Sequence, residues 1–345
     1  MRRITLVTSG STDALTGGHL YHQRMAEQAR GHGATIERIS VRGLRNPFRA
    51  GRGVVLVDSL VAGAVLPWVL LGAQQARPLA AILHQPPGGV DHGRIHTALQ
   101  EPIDRGLYRR CELLIATSQF FAHDLVERWH LPREHICVVE PGCDLPDATS
   151  PATEDLRRGR HIAVLSVANW WPNKGVLELL EAVAVLPLDH VTLHLVGRTD
   201  VDRGYAARVR ARLTAPDLAA RVVIHGALPP PDVARLYGSA DVFASASHSE
   251  TYGMVFGEAL GAGLPVVGWR TGNLPYLVED GREGCLVTRG DVAGLARALR
   301  RLSTDQPWRA ELAGGARRRG LLLPTWNDAA DRFFGALTRL AEAHD

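Results

Sequence analysis

Two carboxylates, Glu250 and Glu258, bracket the passage from a turn into a helix in the stretch Ser-His-Ser-Glu-Thr-Tyr-Gly-Met-Val-Phe-Gly-Glu that begins at Ser247. Val255, Phe256, Ala259 and Leu260 fall on one helical face, and Gly263 stands where a C-terminal cap belongs. Thr251 is the expected N-cap, which leaves the amides around Gly253, Met254 and Val255 as first-turn donors with no acceptor inside the helix. A helix start of this kind, with a glycine allowing close approach, suits an anion and phosphate best. At a rise of about 1.5 Å per residue the two acids stand roughly 10 Å apart. A nucleotide-sugar has those dimensions, with hexose hydroxyls toward Glu250, ribose hydroxyls toward Glu258 and a diphosphate between. The plainer reading of such acids is a dipole partner before a helix and a solvated residue within it.

A second chemical signal is a scarcity. Of the 39 basic residues, 38 are arginine, and Lys174 is the single lysine. It lies in Asn-Lys-Gly between an apolar run and a helix-forming run, where a compact point charge does what a planar guanidinium does not. A third is His84, directly after the apolar run Leu79–Leu83. That is the carboxyl edge of a buried strand, the edge at which open α/β sheets collect ligands.

Composition limits the classes. A chain of 345 residues has room for two cores, and 46% apolar with 22% charged residues describes a folded globular protein. A net charge of +3 is too small to argue for nucleic acid. Four cysteines without a Cys-x-x-Cys spacing suggest neither zinc nor a disulfide framework, and fit a reducing cytoplasm. The N-terminus lacks the apolar region of a signal peptide. Val54 to Ala73 is largely apolar, but Asp58, Pro67 and its glycines make it a buried strand feeding a buried helix rather than a membrane span. The four arginines of Val41–Arg52 read as solvated surface, with contact to a charged acceptor or to anionic lipid headgroups as the alternative; lipid contact would put the protein peripherally at the inner membrane face.

Strand and helix signals alternate through both halves. Strands are expected over Arg3–Thr8, Thr35–Ile39, Val54–Val57, Leu79–Leu83, Leu113–Ser118 and His135–Val139. A glycine-bearing loop from Ser9 to Gly18 leads into a helix from His19 to Gly31, and another helix covers Gln119–Trp129. The segment carrying His92 and His96 reads as irregular. A linker of Pro, Ser, Thr and charged residues precedes a second series: strand His161–Val167, helix Val176–Val185, strand Val191–Gly197, strand from Arg221, helix Pro231–Gly238, strand Ala240–Ser245. Two helices, Asp291–Leu302 and Trp326–Ala343, close the chain.

The run Ser-Glu-Thr-Tyr-Gly-Met-Val-Phe-Gly-Glu-Ala resembles the E-x7-E signature of retaining glycosyltransferases of family 4 (group 1 glycosyl transferases). Gly261-Ala-Gly-Leu-Pro-Val-Val, Thr271-Gly-Asn-Leu-Pro and Val278-Glu-Asp-Gly-Arg-Glu-Gly-Cys-Leu-Val continue the likeness. It is strongest over 160–290, covers 1–145 less closely, and beyond 300 is architectural.

The resemblance implies the GT-B architecture: two Rossmann-like α/β/α domains facing each other across a cleft that closes to exclude water. The expected bounds are an acceptor-side domain at 1–146, a linker at 147–160, a donor-binding domain at 161–324, and a crossover helix at 325–345 that packs back on the first domain. It implies transfer of a hexose-type sugar from a UDP- or GDP-sugar to a hydroxyl of a small-molecule, glycan or lipid acceptor. Configuration is retained by front-side attack. With no Asp-x-Asp motif, no metal and no other cofactor is expected.

For the site, the resemblance implies that Glu250 holds the sugar hydroxyls and Glu258 the ribose. Lys174 neutralises the diphosphate, with Thr251, Tyr252, Gly253, Met254 and Val255 around it. His84 orients the sugar, Gly17 and Gly18 form the acceptor-side glycine loop, and the backbone of Ala227 and Leu228 receives the base. One departure stands out: Asn169 occupies the position of a family arginine, so a charge is missing unless Arg198 or Arg270 supplies it. Two other readings stay open, a nucleotide-sugar epimerase or hydrolase and a non-catalytic nucleotide-sugar binding protein.

Overall fold

In a computed structural model the chain forms two α/β units, one of residues 1–142 with 324–345 and one of residues 143–323. Residues 2–9, 16–41, 48, 53–73, 77–90, 94–143 and 154–344 are described here. The arginine-rich loop (apart from residues 41 and 48), most of the loop before Gly17, His92 and the first half of the expected linker lie outside them.

The first unit is a parallel six-stranded sheet of order β2-β1-β3-β4-β5-β6. Its strands are β1 (Arg2–Thr8), β2 (Ala34–Ser40), β3 (Val54–Asp58), β4 (Leu79–Leu83), β5 (Leu113–Ala116) and β6 (Ile136–Val138). Every residue of β3 and β4 is buried, which is why both read as unbroken apolar runs. Between strands run α1 (Gly17–Gln28), α2 (Ala62–Leu70), α3 (Arg94–Tyr108) and α4 (Gln119–Glu127). Helix α3 corrects the expectation of an irregular segment and carries His96. Pro102 and Gly106 punctuate it in sequence, yet Leu107 and Tyr108 anchor it in the core. No described helix is long and apolar enough to cross a membrane.

The second unit is likewise parallel, of order β12-β11-β10-β7-β8-β9. Its strands are β7 (Ile162–Val167), β8 (Val191–Val196), β9 (Val222–Gly226), β10 (Val242–Ser245), β11 (Val266–Trp269) and β12 (Gly284–Val287). The helices are α5 (Val176–Ala184), α6 (Arg203–Leu213), α7 (Pro230–Ser239), α8 (Met254–Gly261), α9 (Leu274–Leu277), α10 (Val292–Thr304) and α11 (Gln306–Gly320). Helix α11 presses on α8 so closely that a Cβ at Gly320 would stand 2.6 Å from the Leu260 carbonyl oxygen.

The unit boundaries differ from those expected, because residues 154–160 are built into the second unit. Leu156 is buried among Leu165 and Val196, and Arg157 Nε donates to Asp241 at 2.9 Å. The last helix, α12 (Trp326–Glu342), belongs to the first unit. It opens on a capping box between Thr325 and Asp328, and Trp326 and Phe333 meet Tyr21 of α1 edge-on at 5.9 and 6.2 Å.

Candidate active site

Strand β7 lies between β10 and β8, so the loops leaving β7 and β10 open at the point where strand order reverses. The first of these loops is anchored by the buried Trp170 and ends in a 3-10 turn, Pro172–Lys174, closed by Gly175 at φ 63°. A Cβ at Gly175 would lie 2.0 Å from the Ala246 carbonyl oxygen, so glycine lets the two loops touch. They are then laced together: His248 N donates to Asn173 O at 2.8 Å and Asn173 Nδ2 to Ser249 O at 3.0 Å. The product of this lacing is an ion pair, with Lys174 Nζ 2.7 Å from Glu250 Oε1 and both side chains partly exposed (25% and 13%).

A third loop grips the same turn from the other side. Asn273 N donates to Glu250 O at 3.0 Å, Thr271 Oγ1 to His248 O at 3.0 Å, and Asn273 Nδ2 to Tyr252 O at 3.1 Å. A Cβ at Gly272 would come within 2.4 Å of Glu250 O. Asn173, His248, Thr271 and Asn273 received no role from the sequence. The run Thr271-Gly-Asn was a signal for two of them, since it continues the family likeness.

The N-cap of α8 is Gly253, at φ 82°, with no capping side chain; Thr251, the expected cap, lies two residues earlier. A left-handed residue turns the chain sharply into the helix, and a Cβ at Gly253 would strike the Phe256 ring at 2.5 Å. Helix α8 therefore begins at Met254. The amides of Met254 and Val255 have no acceptor one turn back, and they stand beside the Glu250 turn. Glu258 sits little more than one turn into α8. Beside it lies the buried Tyr237, whose hydroxyl donates to Val255 O at 3.2 Å. Burial first, then the neighbouring Glu258 charge, holds the Tyr237 phenol well above its usual range.

The residues around the missing arginine are occupied. Asn169 Oδ1 accepts from Arg198 N at 2.9 Å, which leaves the Asn169 amide nitrogen as its donating end. The Arg198 guanidinium rests on Asp200 at 3.1 Å and that of Arg270 on Asp280 at 3.0 Å, so each charge is offset locally. Ala227 and Leu228 follow Gly226, which turns at φ 68° and whose carbonyl accepts from Gly197 N at 2.8 Å.

In the first unit β1 lies between β2 and β3, giving a second reversal point. His84 directly follows β4 and meets α1, of which Gly17 and Gly18 are the first residues. A Cβ at Gly18 would stand 3.1 Å from His84 Cδ2. His84 Nε2 lies 3.0 Å from His22 Nε2, and His22 Nδ1 lies 3.7 Å from Asp58 Oδ2. Burial lowers the affinity of both imidazoles for a second proton, so both are neutral near pH 7. Among the described residues this is the one group of three whose ligand atoms, within 4.8 Å of each other, could hold a metal ion.

Comparison with known proteins gives this geometry its context. A family model described as Glycosyl transferases group 1 matches residues 161–305, and one described as Glycosyltransferase Family 4 matches residues 40–146. D-inositol 3-phosphate glycosyltransferase of Corynebacterium kroppenstedtii is 33% identical over 218 residues, 59% of this chain and 48% of the relative. Its counterpart from Corynebacterium diphtheriae is 29% identical over 297 residues, 81% of this chain and 68% of the relative. The chain thus spans about half the length of the first of these relatives. Among solved structures, sucrose-phosphate synthase from Thermosynechococcus elongatus superposes with a TM-score of 0.83 at 20% identity, covering 100% of both chains. Anabaena HepE, in complex with UDP and glucose, does so at 0.80 and 19% identity, covering 98% of this chain and 100% of its own. The fold is thus of the GT-B glycosyltransferase type, and with the two family models spanning most of its length the chain belongs to glycosyltransferase family 4, the group 1 glycosyl transferases.

Proposed function

We propose that the chain moves a hexose-type sugar from a nucleotide diphosphate sugar, UDP- or GDP-linked, to an acceptor hydroxyl, with retention at the anomeric carbon and without a metal. The observation that carries this reading is the Lys174–Glu250 ion pair beside the uncapped start of α8. The names of the relatives and the HepE complex with UDP and glucose support starting from UDP-sugars, with a phosphorylated polyol such as inositol 3-phosphate as the first acceptor.

In this mechanism the diphosphate takes Lys174 from Glu250. The freed carboxylate then accepts hydrogen bonds from sugar hydroxyls, while Glu258, steadied by Tyr237, takes the ribose diol. As the bond from C1 to the diphosphate oxygen breaks, charge grows on that oxygen and is met by Lys174 and the amides of Met254 and Val255. Each such contact is worth about 3 kcal/mol when water is excluded. Asn169 adds a donor without charge. The acceptor oxygen bonds to C1 on the same face, and its proton passes to the departing phosphate oxygen. His84 is assigned to orienting the sugar, and Gly17 and Gly18 to the acceptor side. The reading keeps the protein in the cytoplasm.

Incubating the purified chain with UDP-glucose, UDP-N-acetylglucosamine or GDP-mannose and a panel of acceptors tests this, with product anomers assigned by NMR. Acceptor-dependent release of nucleotide, an unchanged anomeric configuration and indifference to EDTA are expected. Release at the same rate without acceptor would show a hydrolase, an isomerised nucleotide-sugar an epimerase, and binding without any turnover a non-catalytic protein.

A further inference from the structure

We infer that His22 and Asp58 are positioning residues for His84, forming a carboxylate–imidazole–imidazole chain that dictates which nitrogen of His84 carries its proton. The role of His84 toward sugar rests on the function proposed above; the proton order does not.

Asp58 is fixed first. It ends β3, is almost wholly buried, and its Oδ2 accepts from Thr8 Oγ1 at 2.8 Å while its Oδ1 accepts from Leu60 N at 3.0 Å. With its oxygens already accepting these bonds, the carboxylate presents only acceptor atoms to its surroundings, and it favours a proton on whichever nitrogen of His22 faces it. That nitrogen is Nδ1, at 3.7 Å. A neutral imidazole with its proton on Nδ1 offers Nε2 as an acceptor. His22 Nε2 lies 3.0 Å from His84 Nε2, a distance that admits one proton between two nitrogens. His84 must therefore donate from Nε2, which leaves its Nδ1 as the lone-pair nitrogen.

The His84 ring is held in place as well as ordered. Tyr21 meets it edge-on at 5.5 Å, a side chain at Gly18 would stand against its edge at 3.1 Å, and its backbone amide donates to Ser59 Oγ at 3.1 Å. Gly18, Tyr21 and His22 stand at i, i+3 and i+4 on α1, so one helical face makes the seat. Asp58 and His84 meet opposite nitrogens of the His22 ring. Such a chain suits a proton order better than a shared ion. Its consequence is chemical: under the function proposed above, His84 meets the sugar as an uncharged ring whose protonated nitrogen is already fixed.

The full-length chain labelled with 15N-histidine reads this directly from long-range proton–nitrogen spectra. The expected pattern is His84 protonated on Nε2 and His22 on Nδ1, with Asp58→Asn shifting both rings away from it. The opposite tautomers in the wild-type chain, tautomers unmoved by Asp58→Asn, or ring protons displaced by one equivalent of zinc ion would each overturn the proposal. In transfer assays His22→Phe should lower kcat about tenfold with donor KM unchanged, and His22→Gln, whose amide oxygen can accept from His84, should recover most of the loss. Equal loss in both variants would also overturn it. Should the wild-type chain transfer no sugar, the spectra still decide the matter.

Discussion

At the reversal point of the second unit a lysine and a glutamate face each other as ions, both within reach of solvent. At the reversal point of the first, two neutral imidazoles stand within hydrogen-bond distance of each other beside a carboxylate. The same sheet topology thus presents two kinds of chemistry. Part-exposed ions change partners cheaply, because water screens each while it is alone. The buried pair His22 and Asp58 has no such freedom, since a group left unsatisfied there costs its full desolvation. The first arrangement suits a ligand that arrives charged and leaves; the second suits a group that must stay in one orientation.

Substitutions can break this contrast, beginning with the largest effect. Lys174→Ala and Glu250→Ala should each lower turnover by ~10²-fold, as for removal of one charge-stabilising donor, while the melting temperature moves by no more than a few degrees. Turnover within tenfold of wild type in either variant would remove that residue from the mechanism. Next come the glycines. Gly175→Ala puts a Cβ 2.0 Å from the Ala246 carbonyl at φ 63°, whereas Gly226→Ala, also at positive φ, meets nothing within 4 Å. Denaturant titration should show the first costing about 3 kcal/mol and the second about 1 kcal/mol. Equal costs would mean that the two loops are not in contact.

The third prediction concerns acid. His22 and His84 are both held below the ordinary 6.5, chiefly by burial. Below that pH the unfolded chain takes up protons that the folded chain refuses, so stability is complete above pH 6.5 and falls as the pH drops beneath it. Melting curves at pH 7.5 and pH 5 should show the loss, and His22→Phe should shrink it. His190, His194 and His225 in the second unit are lowered in the same way and leave a residual acid sensitivity in that variant. The smallest effect expected is from Tyr237→Phe: a rise of about threefold in donor KM with kcat nearly unchanged, because one hydrogen bond beside Glu258 is lost.

What the sequence disclosed follows from what each feature depends on. The buried strands were legible because a central parallel strand is apolar throughout, as in Val54–Val57 and Leu79–Leu83. Lys174 was legible as a lone residue type and Glu250 through its surroundings. Their contact was not, since 76 residues separate them and only the folded sheet closes that distance. The cap of α8 was misplaced because threonine is the commoner N-cap, while Gly253 works by its backbone alone. Helix α3 was hidden by Pro102 and Gly106, and α6 and α11 by arginine-rich faces with little apolar periodicity. His22 gave no sign at all. On α1 it is one polar residue among several, and only the packing of α1 against β3 and β4 makes it a neighbour of His84.

The most direct measurement is a crystal structure of the chain with a UDP-sugar bound. The expected result is a diphosphate whose oxygens lie within hydrogen-bond distance of Lys174 Nζ and the Met254 and Val255 amides, with Glu250 on the hexose and Glu258 on the ribose. A diphosphate bound elsewhere, with the Lys174–Glu250 ion pair still closed, would contradict it.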